Sequence, residues 1–161
     1  MDWLAALIAG LALPAAATAL GFAWKARTGR LHAARAAGAG AAGAAGAAGA
    51  GDETVEALEL GRAALGPVAT LVQFSTKYCS RCPATARQLT GVAAEYDGVR
   101  HVEVDLTHRG DLAERFRVLQ TPTTLILDAH GVPTARVGGV PRLGAVRDHL
   151  DALTGRTSVT S

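Results

Sequence analysis

The sequence predicts an α/β domain built on a mixed β-sheet, and three stretches carry that expectation. Val68 to Phe74 is a short β-branched and aromatic run, closed by Gly66-Pro67 before and Ser75-Thr76 after, as a buried strand requires. Beyond Cys82 the period changes. Ala86, Leu89, Ala93 and Tyr96 recur at three- and four-residue steps, so one face is apolar and the segment is an amphipathic helix. After the stop signal Asp97-Gly98, Val102, Val104 and Leu106 alternate with His101, Glu103 and Asp105, which makes Val99 to Leu106 a strand with one covered face. Strand, helix and strand in that order imply parallel pairing with a right-handed crossover.

The amino-terminal third is of a different kind. Leu4 to Ala23 are 20 residues without a charge; as a helix rising about 1.5 Å per residue they span one hydrocarbon core, roughly 30 Å. Trp3 and Trp24 bracket them, as indoles do at a membrane interface. A secretory signal peptide, with Ala15-Ala16-Ala17 as its cleavage region, fits less well, because the start carries Asp2 and the positive charges lie behind, at Lys25, Arg27, Arg30 and Arg35. Residues 3–24 are therefore expected to form a transmembrane helix. By the positive-inside rule those cations stay in the cytoplasm, which places everything after Trp24 on the cytoplasmic side of the cell membrane. Residues 25–51 read as a basic flank and linker, since Ala36 to Gly51 contain only alanine and glycine and no core can be made from them. Such a tether, flexible or partly helical, would decouple the anchor from the domain.

Residues 52–155 hold the domain, and 156–161 a disordered tail. Asp52 to Gly66 are ambiguous: Val55 to Leu60 suit an edge strand, while Val55, Leu58 and Leu65 suit a short helix. Asp111 to Val118 read as a helix with Leu112, Phe116 and Leu119 inward. Thr124 to Leu127 and Ala135 to Val137 are two further strands joined by the turn Asp128 to Gly131, a hairpin that adds an antiparallel edge, and Leu143, Val146, Leu150 and Leu153 mark a closing helix. The order is βαβαββα. The net charge of +2 is concentrated in the membrane flank, the rest being slightly acidic, so no basic surface argues for nucleic acid.

Cys79 and Cys82 are the only two cysteines, and they fall where the first strand feeds the helix. Unpaired N–H groups and the positive end of the helix dipole favour a thiolate there, and Arg81 adds a cation. A thiolate at Cys79 with a second sulfur one turn on can attack a disulfide and be released when Cys82 resolves the mixed disulfide. Pro83 fits only if the helix begins near Ser80. A zinc site needs four ligands, and no second Cys-x-x-Cys or His-x-His cluster exists, so no metal or other cofactor is expected. The glycines Gly138-Gly139 suit a tight bend or the close approach of a peptide.

Phe74, Cys79-Ser-Arg-Cys82, Val104-Asp105, Thr121-Pro122-Thr123 and Arg136-Val-Gly138 fall in the order and spacing of a thioredoxin domain. The chain resembles the membrane-anchored thioredoxin-family proteins of actinobacteria over about Val55 to Leu153. The resemblance implies a thioredoxin-like fold, a central sheet flanked by helices, with Cys79 as attacking thiolate, Cys82 as resolving thiol and Pro122 as a cis-proline beside them. It also implies that Tyr78, Thr121, Pro122 and Gly138 contact substrate. Three departures from the family pattern matter. Gln73 stands in place of a buried Asp that handles the resolving cysteine's proton, and an amide accepts no proton at neutral pH. Tyr78 replaces a Trp, and Ser80-Arg81 replace Gly-Pro. The expected function is a membrane-tethered thiol-disulfide oxidoreductase that reduces protein disulfides and is recharged by an electron donor. The alternative is a thioredoxin-fold binding or redox-sensing module for a membrane partner, with little turnover.

Overall fold

Seven consecutive buried residues make Ala69–Ser75 (β2) an interior strand of the sheet, covered on both faces. A computed structural model describes residues 44–156, Leu31–Ala33 and the isolated positions 18, 21 and 29. The expected membrane helix at 3–24, apart from positions 18 and 21, and the tail after Arg156 lie outside the described residues. Among the described residues no helix is long and apolar enough to cross a membrane.

The elements are β1 (Leu31–Ala33), α1 (Ala44–Ala57), β2, α2 (Cys82–Ala94), β3 (Val99–Asp105), α3 (Gly110–Arg115), β4 (Thr123–Asp128), β5 (Pro133–Gly138) and α4 (Leu143–Thr154). The sheet order is β1-β5-β4-β2-β3, with β2 and β3 parallel and every other pair antiparallel. Helices cover both faces. Leu71 and Ile126 pack with Leu89 and Val92 of α2 and Val146 and Leu150 of α4. On the other face Val72, Phe74, Leu125 and Leu127 pack with Val55 of α1, with Leu58 just beyond it, and with Leu112 of α3. The chain therefore has a mixed α/β fold of the expected kind, and it differs from the expected elements in five places.

The ambiguous stretch after Asp52 is helical, and its helix starts eight residues earlier, inside the Ala/Gly tract. Gly51 is buried so tightly that a Cβ there would lie 2.1 Å from the His130 carbonyl oxygen, which is why glycine at this point assists packing. β5 is not the edge: β1, from the basic flank, pairs Leu31 with Val137 and Ala33 with Ala135. An edge strand offers unpaired N–H and C=O groups to any extended segment within reach. The Ala/Gly tract consequently lies between two elements of one unit, and the flank does not stand apart from the domain.

The third difference is in β3, whose second face is partly covered at His101 while Glu103 and Asp105 stay exposed. His101 is half-buried, with Nδ1 3.0 Å from the Thr90 hydroxyl of α2. Fourth, α2 starts at Cys82, two residues later than expected, so Pro83 sits in its first turn, where it forfeits no hydrogen bond. Last, Leu119 is 95% exposed, not inward. α3 ends at Arg115 and Arg117 has φ +48°, which breaks the helical register before Leu119 is reached.

Burial holds the imidazoles of His101 and His149 below the ordinary histidine range. The folded chain then binds fewer protons than the unfolded chain just below that range, so stability present above about pH 6.5 is lost as pH falls through the lowered values. We expect the urea midpoint to decline between about pH 7 and pH 5, a window above the titration of ordinary carboxylates. The double variant His101→Gln/His149→Gln should flatten that decline; an unchanged slope would assign it to other groups.

Candidate functional site

Strand β2 ends at Ser75, and the chain must turn before α2 begins. Two backbone bonds fasten this turn to the end of β3: the Leu106 N–H donates to the Ser75 carbonyl at 2.8 Å, and the Lys77 N–H to the Thr107 hydroxyl at 2.9 Å. Within the turn the Cys79 N–H donates to the Thr76 carbonyl at 3.0 Å and the Cys82 N–H to the Cys79 carbonyl at 3.2 Å. This winding brings the two cysteines to a Cα–Cα distance of 5.4 Å, and they form a disulfide. Their surroundings differ. Cys79 is half-buried at the mouth of the turn, whereas Cys82 is 2% exposed as the first residue of α2.

The loop before β4 comes to the same end of the sheet. The Thr121-Pro122 peptide bond is cis. Thr121 Oγ1 lies 3.5 Å from Thr76 Oγ1, and the Pro122 carbonyl accepts the Gly139 N–H at 2.8 Å. Arg136 holds this loop from beneath, donating to the Phe116 and Arg117 carbonyls at 2.6 and 2.8 Å. An open pocket is lined by Thr76, Tyr78, Cys79, Ser80, Arg81 and Thr121. The structure thus brings together Tyr78, Cys79, Arg81 and Thr121. Tyr78 is 80% exposed, with Lys77 Nζ 5.0 Å from its ring centroid. Pro122 is buried next to this lining.

Gly138 does not lie on the pocket wall. Its carbonyl already accepts the Gly29 N–H at 2.9 Å, and a Cβ there would meet the Gln120 side-chain amide at 2.7 Å. The Gln120 side chain thus packs against the Gly138 backbone.

Gln73 is fully buried on the α2 side of the sheet. Its Nε2 donates to the Cys82 carbonyl at 3.1 Å and, at a longer 3.5 Å, to Glu103 Oε1. A second cleft, on the β3 side of the disulfide, is lined by Lys77, Cys79, Cys82, Pro83, Glu103 and Asp105, among others. Hydrogen bonds from the Thr107 hydroxyl and N–H hold the Asp105 carboxyl below the usual carboxylate range. Glu103 is the exposed strand residue that the alternation predicts; its place opposite Gln73 is visible only once the β2–β3 register is known. Leu119 and Val140 were missed as exposed apolar side chains. Among the described residues no group of three or more His, Cys, Asp or Glu is placed to hold a metal ion.

Comparison with known proteins gives the same fold. The thioredoxin family model matches residues 65–152. Thioredoxin C-2 of Corynebacterium nephridii is 34% identical over 73 residues, covering 45% of this chain and 68% of that protein. Thioredoxin of Echinococcus granulosus is 30% identical over 98 residues, covering 61% of this chain and 90% of its own. The crystal structure of a designed protein superposes with a TM-score of 0.50 at 22% identity, covering 64% of this chain and 90% of that one.

Proposed function

This chain belongs to the thioredoxin family, and we propose that it is a membrane-tethered reductase of protein disulfides. That it is a thiol-disulfide oxidoreductase follows from the family and the Cys79–Cys82 pair. The observation that carries the direction of attack is the unequal burial of the two sulfurs, Cys79 at the pocket and Cys82 behind it. Cys79 attacks the substrate disulfide and Cys82 releases it. Tyr78 and Thr121 contact the substrate chain on either side, and Arg81 favours the Cys79 thiolate by its charge. The electron donor is a protein or small-molecule dithiol that returns the pair to the reduced state.

The apolar run Leu4 to Ala23, flanked by Trp3 and Trp24, supports the tether. Because Gly29 already bonds to Gly138 and Leu31 is paired to the sheet, only Lys25 to Thr28 join anchor to domain; they reach at most about 14 Å. The domain is therefore held close to the cytoplasmic face, where Lys25, Arg27 and Arg30 meet anionic headgroups. Fused after Ser161, a reporter active only outside the membrane should stay silent; a strong signal would reverse the orientation and move the chemistry to the export side.

A second reading, a binding or redox-sensing module with little turnover, is favoured by Gln73, which replaces the expected proton acceptor. Insulin reduction separates the two. The first requires many disulfides reduced per chain with excess dithiol, the second only one.

A further inference from the structure

Gln73 leaves the reaction with an unsolved proton. When a mixed disulfide on Cys79 is resolved, the thiol of Cys82 must lose its proton before it attacks, and a side-chain amide cannot take it. We propose that Glu103 takes that proton, with Gln73 as the positioning residue that holds Glu103 and the Cys82 backbone together. The proposal rests on the reading of Cys79 as nucleophile and Cys82 as resolving thiol given above.

Three observations carry it. Gln73 and Glu103 are opposite one another in the parallel β2–β3 register, so their side chains share one face of the sheet, Gln73 buried and Glu103 exposed beside it. The Gln73 amide nitrogen bridges the Cys82 carbonyl and the Glu103 carboxylate. Cys82 and Glu103 also line one open cleft, a path along which a water can carry the proton between them. In addition, Gln73 Oε1 is buried without a hydrogen-bond partner.

The other charged groups facing the cleft do not serve. Lys77 is a cation. Asp105 accepts two hydrogen bonds from Thr107, which hold its carboxyl below the usual range and make it a weaker base. His101, also on β3, does not line the cleft, and its Nδ1 lies 3.0 Å from the Thr90 hydroxyl. From α2 the cleft receives Cys82 and Pro83, neither charged in the disulfide form.

The balanced step is as follows. The Cys82 S–H proton passes to the Glu103 carboxylate, and the Cys82 sulfur attacks Cys79 Sγ. The Cys79–Cys82 bond forms while the bond from Cys79 to the substrate sulfur breaks. The electron pair leaves on the substrate sulfur, which is protonated by Glu103 or solvent. The substrate disulfide is thereby reduced to two thiols and the cysteine pair oxidised.

The test uses the full reduced chain and the aryl disulfide 5,5′-dithiobis(2-nitrobenzoate) in a stopped-flow instrument. Attack by Cys79 releases one coloured thiolate; resolution by Cys82 releases a second. Glu103→Gln should leave the first release unchanged near pH 7 and slow the second by about tenfold or more. The deficit should vanish as pH approaches the ordinary cysteine pKa, about 8.5, where hydroxide does the work. Adding Gln73→Asp to Glu103→Gln should restore the second release near pH 7, because it returns a carboxylate to the cleft wall. Equal second-phase rates in wild type and Glu103→Gln would overturn the proposal, as would a deficit that persists unchanged at alkaline pH. Loss of the first release in the wild type would overturn the assignment of Cys79 as nucleophile, a distinct failure.

Discussion

Cys79→Ser should abolish disulfide reduction, and Cys82→Ser should leave the chain covalently joined to its substrate. The two outcomes differ because the sulfurs are placed differently. Cys79 lines the open pocket with Tyr78, Arg81 and Thr121, whereas Cys82 is 2% exposed at the start of α2. A serine hydroxyl at 79 offers no thiolate near neutral pH, so no first attack takes place and turnover falls to background. Serine at 82 spares that attack but removes the only group able to expel the substrate. Non-reducing electrophoresis should show the mixed disulfide with Cys82→Ser and none with the double variant. In the reduced wild type an alkylating agent should modify Cys79 well before Cys82. Equal rates for the two cysteines would contradict the assignment.

Phe74→Ala should destabilise the fold by about 3–5 kcal/mol, a large share of the roughly 5–15 kcal/mol that holds a typical domain together. Phe74 is fully buried on β2, its ring centroid 5.4 Å from that of Phe116, among Val72, Leu112 and Leu125. Removing the ring opens a cavity in the layer that seats α3 and the loop leading to Thr121. The variant should lose stability in urea and, because Phe116 loses its partner, should also loosen the pocket. Leu119→Ala is the control. With its side chain 95% exposed, its cost should stay within about 0.5 kcal/mol. Comparable losses for the two would mean that the Phe74 layer does not carry the core.

Much of the site was legible because its chemistry is local in sequence. Cys79 and Cys82 are one helical turn apart, Pro83 marks a first turn, and Thr121-Pro122-Thr123 punctuates the entry to β4. The strands and helices with strong periods, β2, β3, α2 and α4, were legible for the same reason: each buries a face that its own residues announce. What escaped depends on pairing. Leu31–Ala33 is too short to show a period and is a strand only because β5 offers an unpaired edge. Leu119 continues the apolar spacing of α3, yet the positive φ of Arg117 turns it outward.

By itself the sequence determined an α/β domain with one dithiol at a strand-to-helix junction, because hydrophobic period and the Cys-x-x-Cys spacing act within a few residues. It also identified Gln73 as a residue unable to accept a proton, since that property belongs to the amide whatever surrounds it. Only the tertiary structure decided that Glu103 faces Gln73 and shares a cleft with Cys82, and that Cys79 is accessible while Cys82 is not. These relations join residues up to about thirty positions apart through the register of parallel strands and the packing of a helix on them. Register is fixed by which faces are buried together, a property of the whole sheet that no single stretch contains.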